Sequence, residues 1–258
     1  MLVSEVMTQQ TQVARVVPRY HRFLERFPTP AACAAAPAAD VITEWAGLGY
    51  NRRALSLHRA AVAVVEHHGG QLPHDLAALR RLPGVGPYTA RAVLAFAFGD
   101  DVGVVEVNTA RVLARAFAGR RLAAAEAQVL ADGLVPAGEG WAWNQTLLDV
   151  GATVCGKRAQ ACGECPLRPW CQWAAAGRPA PDPADGSAGT GGVQSTFAGS
   201  DRQGRGRLVD ALRRAPVAAA DVPTATGWPD DPARAHRVAA ALVADGMAVA
   251  HGDELRLP

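Results

Sequence analysis

Cys155, Cys162, Cys165 and Cys171 fall within one seventeen-residue stretch, in the pattern C-x6-C-x2-C-x5-C. Four thiolates on a short loop form a ligand set for a single metal centre, and thiolate-rich sites select iron–sulfur clusters or zinc. The wide first gap followed by two tight ones is unlike the paired C-x2-C…C-x2-C of zinc ribbons. That favours a [4Fe–4S] cluster and leaves zinc as the alternative. Pro166 and Pro169 stiffen the loop so that the ligands stay presented. Disulfides are disfavoured, because nothing at the N-terminus resembles a secretory signal and a reducing cytosol is then the default. Cys33, outside this set, reads as a small buried apolar residue.

A second chemically suggestive string is Leu82-Pro83-Gly84-Val85-Gly86. Two glycines one residue apart let the backbone turn tightly and approach an anion. Pro87 then fits the first turn of a helix, whose leading amides point at that anion. Such a turn can grip a phosphate without reading a base.

Short helices must position these groups. Apolar spacing predicts helices over 41–47, with Asp40 as N-cap, over 52–67 up to Gly69-Gly70, and over 76–81, capped by Asp75. Others are expected over 87–98, 109–118 and 141–154. Few runs alternate with period two, so the class is all-α. Residues 174–200 are rich in Pro, Gly, Ala, Ser and Asp and read as a flexible linker. Beyond it, 205–213 and 232–244 look helical, and 247–257 suggests two strands around a His251-Gly252-Asp253 turn. Helices followed by a hairpin suggest a small winged-helix-like α+β module over 201–258.

The 258 residues suit one large domain with a small companion. A hydrophobic content of 49% is ample for a core, and no apolar run reaches membrane-spanning length. The net charge of +2 gives no independent sign of a nucleic-acid partner. Residues 1–173 carry 17 Lys and Arg against 14 Asp and Glu, the remainder 9 against 10. Any DNA affinity should therefore sit in the first part.

The cysteine spacing resembles the cluster loop of the endonuclease III and MutY superfamily of helix-hairpin-helix DNA glycosylases, and upstream strings strengthen the likeness. Ser4-Glu5-Val6-Met7-Thr8-Gln9-Gln10-Thr11-Gln12-Val13 resembles the MutY-type adenine glycosylase segment around its catalytic acid. Gly47-Leu48-Gly49-Tyr50 resembles the wedge segment, and Val105-Glu106-Val107-Asn108 the Asp-x-Asn before the following helix. The resemblance covers 2–173, and it implies a helix-hairpin-helix glycosylase domain over 1–173 with an iron–sulfur loop. Glu5 is implied as the acid that protonates adenine and Glu106 as the carboxylate facing a cationic sugar, with Asn108 orienting it or the water. Gln9, Gln10, Thr11 and Tyr50 are implied as DNA contacts around the extruded base. Gly84, Val85, Gly86 and Thr89 would grip the backbone, and Gln145 would face adenine.

Tyr88 stands where the endonuclease III branch has its Schiff-base lysine. Lys157 is the sole lysine of the chain, and it lies in the cysteine loop. Tyrosine cannot form an imine, so the resemblance implies a monofunctional enzyme in which water completes the reaction. The expected substrate is double-stranded DNA with adenine opposite 8-oxoguanine or guanine, met by a cytoplasmic monomer at the nucleoid, with no membrane.

Four departures qualify this. Glu106 is one methylene longer than the family's Asp, and Asn51 replaces a second Tyr. The family has some thirty residues before the Glu5 string, so a truncated N-terminus is expected. The tail is too short for the Nudix-like domain of many relatives. A thymine mismatch glycosylase and an inactive iron–sulfur DNA-binding module are the alternatives.

Overall fold

The computed structural model describes residues 1–188 and 196–258. In chain order the helices are α1 (Leu2–Thr8), α2 (Val13–Arg26), α3 (Pro30–Ala35), α4 (Ala38–Glu44), α5 (Arg52–His68), α6 (Leu76–Arg81) and α7 (Pro87–Val93). They continue as α8 (Val107–Val112), α9 (Ala124–Leu134), α10 (Gly140–Asp149), α11 (Gln172–Ala175), α12 (Asp201–Leu212), α13 (Val222–Thr226) and α14 (Pro232–Ala244). Short strands β1 (Val217–Ala218), β2 (Val249–His251) and β3 (Glu254–Arg256) complete the set. The chain divides into two units. The flanking unit holds residues 2–73, 77–85 and 196–258, and the central unit is built mainly from 86–188.

In the flanking unit, α5 buries Ala54, Leu57, Ala60, Ala61 and Val64, the three- and four-residue spacing of one apolar face. It stops at Gly69, whose φ of +60° is the left-handed cap that glycine adopts without strain. Asp40 does not cap α4. That helix starts two residues earlier, after Pro37, and the Asp40 carboxylate accepts from Arg26 at 2.7 Å. Residues 201–258 run helix, strand, two helices and hairpin, with antiparallel strand order β1-β3-β2, which is the winged-helix order. Leu208, Leu212, Val222, Ala235, Val238, Leu242 and Met247 form its buried side. The sequence showed β2 and β3 but not β1, whose two residues leave no alternation to read. The module lies against the N-terminal helices: Ala39 N donates to Pro258 O at 2.8 Å.

In the central unit, α7, α8 and α10 each run on into a π-helical turn, at Leu94–Phe98, Leu113–Ala118 and Val150–Val154. Leu113, Ala114, Leu122, Ala127 and Ala131 form one apolar cluster; Val112, Ala116, Leu147 and Val150 form another beside the cysteines. Gly151 permits the close crossing of α8, since a Cβ there would stand 2.7 Å from the Asn108 backbone oxygen. The stretch expected as a flexible linker is packed in its first part. Ser187 is buried, accepts from Leu122 N at 3.0 Å and donates to Pro183 O at 2.6 Å. Residues 189–195 of that stretch lie outside the described residues. Among the described residues no helix is long and apolar enough to cross a membrane.

Candidate functional site

Glu5, Gln9, Gln10, Thr11 and Tyr50 all belong to the flanking unit. Glu5 sits partly buried on α1, and the three residues after that helix form a tight loop. Gln10 has φ +55° and Tyr50 φ +46°, left-handed conformations that side-chain-bearing residues rarely adopt. Thr11 Oγ1 donates to Leu48 O at 3.1 Å and ties the two loops directly. Arg53 binds both. Its Nη1 donates to Val6 O at 2.8 Å, Met7 O at 3.2 Å and Gln9 O. Its Nη2 donates to Thr11 Oγ1 at 2.9 Å, Leu48 O at 3.3 Å and Gly49 O at 3.2 Å. The guanidinium also lies over the Trp45 and Tyr50 rings, 5.4 Å from each centroid. Burial lowers its pKa to about 10.

Arg53 carries no residue motif that sequence reading singles out. A signal was nonetheless present: Arg52 and Arg53 put two cations in the first turn of α5, against the helix dipole. The geometry resolves the conflict, because Arg53 reaches the orphan carbonyls at the C-terminal end of α1.

The hairpin string has Gly84 at φ +79°, where a Cβ would stand 2.6 Å from Ser56 Cβ, so glycine is required twice over. Gly86 precedes α7 as its N-cap and Pro87 occupies the first turn, as expected. Val85 and Thr89 are buried, so any part they play in holding DNA falls to their backbone. Tyr88 is half-buried and packs partly on Ala92, Ala95 and Val104.

Glu106 has a local role the sequence did not reveal. It is the N-cap of α8, with Oε1 accepting from Asn108 N at 2.6 Å and Thr109 N at 2.9 Å. Thr109 Oγ1 accepts from Glu106 N in return, closing a capping box. The extra methylene is thus absorbed by folding the carboxylate back onto the helix start. Burial pushes the Glu106 carboxyl above its ordinary pKa; the Thr109 and Asn108 amides and the Arg111 charge oppose that without cancelling it. Asn144 pins the segment leading to Glu106. Its Oδ1 accepts from Val104 N and its Nδ2 donates to Val102 O, each at 2.8 Å. Asn108 Oδ1 accepts from Arg111 at 2.7 Å. Gln145 donates to Asp149 at 2.9 Å along the exposed side of α10. These residues belong to the central unit.

The four cysteines of the loop form no disulfide and line a common cavity with Val112, Ala116, Val150, Leu167 and Trp173. Among the described residues, no three His, Cys, Asp or Glu side chains converge as a single ion needs. Two buried arginines brace the loop. Arg111 donates to Cys155 O at 2.5 Å and Gly151 O at 2.6 Å. Arg115 donates to Cys155 Sγ at 3.4 Å, Gly156 O at 2.8 Å and both Asp182 oxygens, at 2.9 and 2.5 Å. Their spacing, one turn apart on a largely buried helix, was the sequence clue. Burial raises the Cys155 thiol pKa despite the bond and charge of Arg115.

A family model described as HhH-GPD superfamily base excision DNA repair protein matches residues 3–133. The chain is 44% identical over 255 residues to an adenine DNA glycosylase of Mycobacterium tuberculosis, covering 95% of this chain and 80% of that one. It is 40% identical to that of Mycolicibacterium smegmatis, covering 95% and 82%. The human adenine DNA glycosylase matches at 41% over 66% of this chain and 32% of its own length. Among solved structures, a thermostable thymine-DNA glycosylase aligns with TM-score 0.62 at 28% identity, covering 68% of this chain and 83% of that one. A trapped endonuclease III–DNA covalent intermediate aligns with TM-score 0.61 at 25%, covering 69% and 84%. On the family match and these identities, the chain belongs to the HhH-GPD superfamily of base excision DNA repair proteins, in its adenine DNA glycosylase family.

Proposed function

We propose that the chain excises adenine opposite 8-oxoguanine or guanine by hydrolysing the N-glycosidic bond, and that it does so without cutting the strand. Glu5 gives a proton to a ring nitrogen of the extruded adenine, so the base leaves neutral. The C1′–N9 bond breaks, and Glu106 stabilises the cationic sugar. Water adds to C1′ and returns a proton to Glu5. Asn108 and Gln145 orient the carboxylate and the base, and Tyr50 fills the space beside the opposing base. The observation that carries this reading is Glu106. Its Oε1 accepts from two backbone amides, which supports a carboxylate held in one orientation for that role. The Lys157 count supports hydrolysis, since no lysine stands in the hairpin.

Cys155, Cys162, Cys165 and Cys171 would hold a [4Fe–4S] cluster, which cross-links the loop and has a structural role. What supports the cluster over zinc is the C-x6-C-x2-C-x5-C spacing of the four cysteines together with the cavity they share. Purified protein should be yellow-brown, with broad absorbance near ~400 nm. Colourless protein holding one zinc would refute the assignment.

The function is tested with duplexes carrying A opposite 8-oxoguanine or G, with and without hot alkali. Cleavage should require alkali. Glu106→Gln should lower single-turnover excision by roughly 100- to 1,000-fold or more, as loss of a positioned electrostatic partner does. Glu106→Asp, a better N-cap, should keep or raise it. Borohydride trapping of a protein–DNA adduct counts against hydrolysis. Release of thymine from T opposite G, with none of adenine, would favour a thymine enzyme, the reading that the first structural neighbour supports.

A further inference from the structure

The segment carrying Tyr50 is held by the C-terminal module. Asparagine at an N-cap ordinarily accepts from the amides of its own helix. Asn51, at the N-cap of α5, makes no such bond. Its Oδ1 accepts instead from Arg213 Nη2 at 2.8 Å. Arg213 follows the last turn of α12, with 8% of its side chain exposed. Its Nε and Nη2 also donate to Ile42 O in α4, at 3.1 and 2.9 Å, and its Nη1 pairs with Asp210. One guanidinium therefore joins the module, α4 and the residue after Tyr50. A second arginine of α12, Arg202, donates to the Tyr50 hydroxyl at 3.3 Å. Below them lies a cleft of about 660 Å³, lined by Gln10, Tyr50, Arg52 and Ser56 on one side and Phe197 and Arg205 on the other.

A module that only trailed on a linker would not place a buried arginine fork on this segment. The fork matters because Tyr50 occupies a left-handed conformation that a bulky side chain leaves when it is free to.

We propose that the C-terminal module positions the Tyr50 wedge, with Arg213 acting through Asn51 and Arg202 through the Tyr50 hydroxyl. The module then sets how readily Tyr50 enters unstacked DNA; this rests on the glycosylase reading above. Arg213 and Arg202 are positioning residues, distant in role from proton transfer.

The test uses the full chain and compares Asn51→Leu, Asn51→Asp, Arg213→Gln and the Asn51→Leu/Arg213→Gln pair, with exposed Arg214→Ala as control. Three quantities are read: affinity for mismatched against fully paired duplex, fluorescence of 2-aminopurine beside the mismatch as a report of unstacking, and circular dichroism for fold. Asn51→Leu and Arg213→Gln should each lower the mismatched-to-paired affinity ratio by about tenfold, a change of ~1.4 kcal/mol. Both should reduce the unstacking signal, and the pair should lose no more than the worse single variant. Asn51→Asp keeps an acceptor for Arg213 and should retain the ratio, which a merely structural role would not predict if Leu folds equally well. Folded single variants that keep the ratio, or losses that add in the pair, overturn the proposal. If the unaltered chain excises adenine yet shows no unstacking, the proposal fails alone. If it neither excises nor prefers a mismatch, the glycosylase reading fails and takes the proposal with it.

Discussion

Arg53, partly buried, and Arg115, buried, each hold loops together, yet they do so in opposite ways. Arg53 meets six neutral oxygens from the Gln9–Thr11 and Leu48–Gly49 loops and the end of α1, and burial lowers its pKa to about 10. Arg115 braces the cysteine loop but is matched by Asp182 in a two-point ion pair. Burial works against the Arg115 charge, and the Asp182 and Cys155 side chains more than offset it, so its pKa is raised. The lesson is electrostatic. Around the Gln9–Thr11 and Leu48–Gly49 loops the arginine's charge meets only neutral oxygens among its hydrogen-bond partners, and burial works against it. Beside a loop of four thiolates, the arginine's charge is already matched by a carboxylate.

If that contrast is right, Arg53 is the more sensitive site. Arg53→Ala strips donors from several carbonyls at once and should destabilise the fold by roughly 3–5 kcal/mol, the combined cost of leaving several partly buried acceptors unpaired. Arg53→Lys should recover little of it, because an ammonium cannot reproduce the planar fork. Thermal unfolding checks both. A Lys variant as stable as the parent would show that charge, and not fork geometry, holds the loops.

Arg115 should respond differently because its partner is charged. Arg115→Ala leaves Asp182 without its cation and should cost about 3 kcal/mol; removing both partners together should cost less than the two single losses combined. Burial pushes the Asp182 carboxyl up, but the Arg115 bonds and the Ala184 amide outweigh it and hold the pKa below the ordinary aspartate value. The folded pKa is depressed, so this stabilisation is present above the unfolded aspartate pKa and lost as pH falls through the lower folded value. Asp182→Asn should therefore flatten the acid limb of the stability curve. The Arg53 variants, which remove no carboxylate, should leave that limb unchanged in shape.

How much of this was legible beforehand follows the range of the interactions. The helix expected over 52–67, which runs one residue further, its Gly69 stop, the Pro87 start of α7 and the Gly252 turn are written in local residues, and the sequence showed them. The hairpin and the cysteine set were legible for the same reason, since spacing alone carries them. The capping of α8 by Glu106 was local too. It was missed because glutamate is not among the favoured N-caps and its carboxylate was read only as chemistry. Arg53, Arg115 and Arg213 carried at most a positional hint, because their partners could not be named from it: acceptors lie as far as 47 residues from Arg53, 67 from Arg115 and 171 from Arg213. Residues 182–188 misled for the opposite reason. Their composition suits a linker, and it is the distant Arg115 and Leu122 that tie them to the rest of the central unit.

The smallest test concerns Thr11, which belongs to the Arg53 side of the comparison. Its hydroxyl donates to Leu48 O at 3.1 Å and accepts from Arg53 at 2.9 Å, so one oxygen links loop to loop and loop to clamp. Thr11→Val keeps shape and β-branching while removing both bonds. The expected loss is about 1–1.5 kcal/mol, since Arg53 and Leu48 keep other partners or stay within reach of water. Thr11→Ser keeps the hydroxyl and should lose only the packing of a methyl, under ~1 kcal/mol. The ordering matters more than either value. If the two loops act as one body held by Arg53, Thr11→Val should add little once Arg53→Ala is present, because the clamp it serves is gone. Full additivity in that double variant would mean that the Thr11–Leu48 bond holds the loops independently, and that Arg53 stabilises α1 more than it organises the wedge.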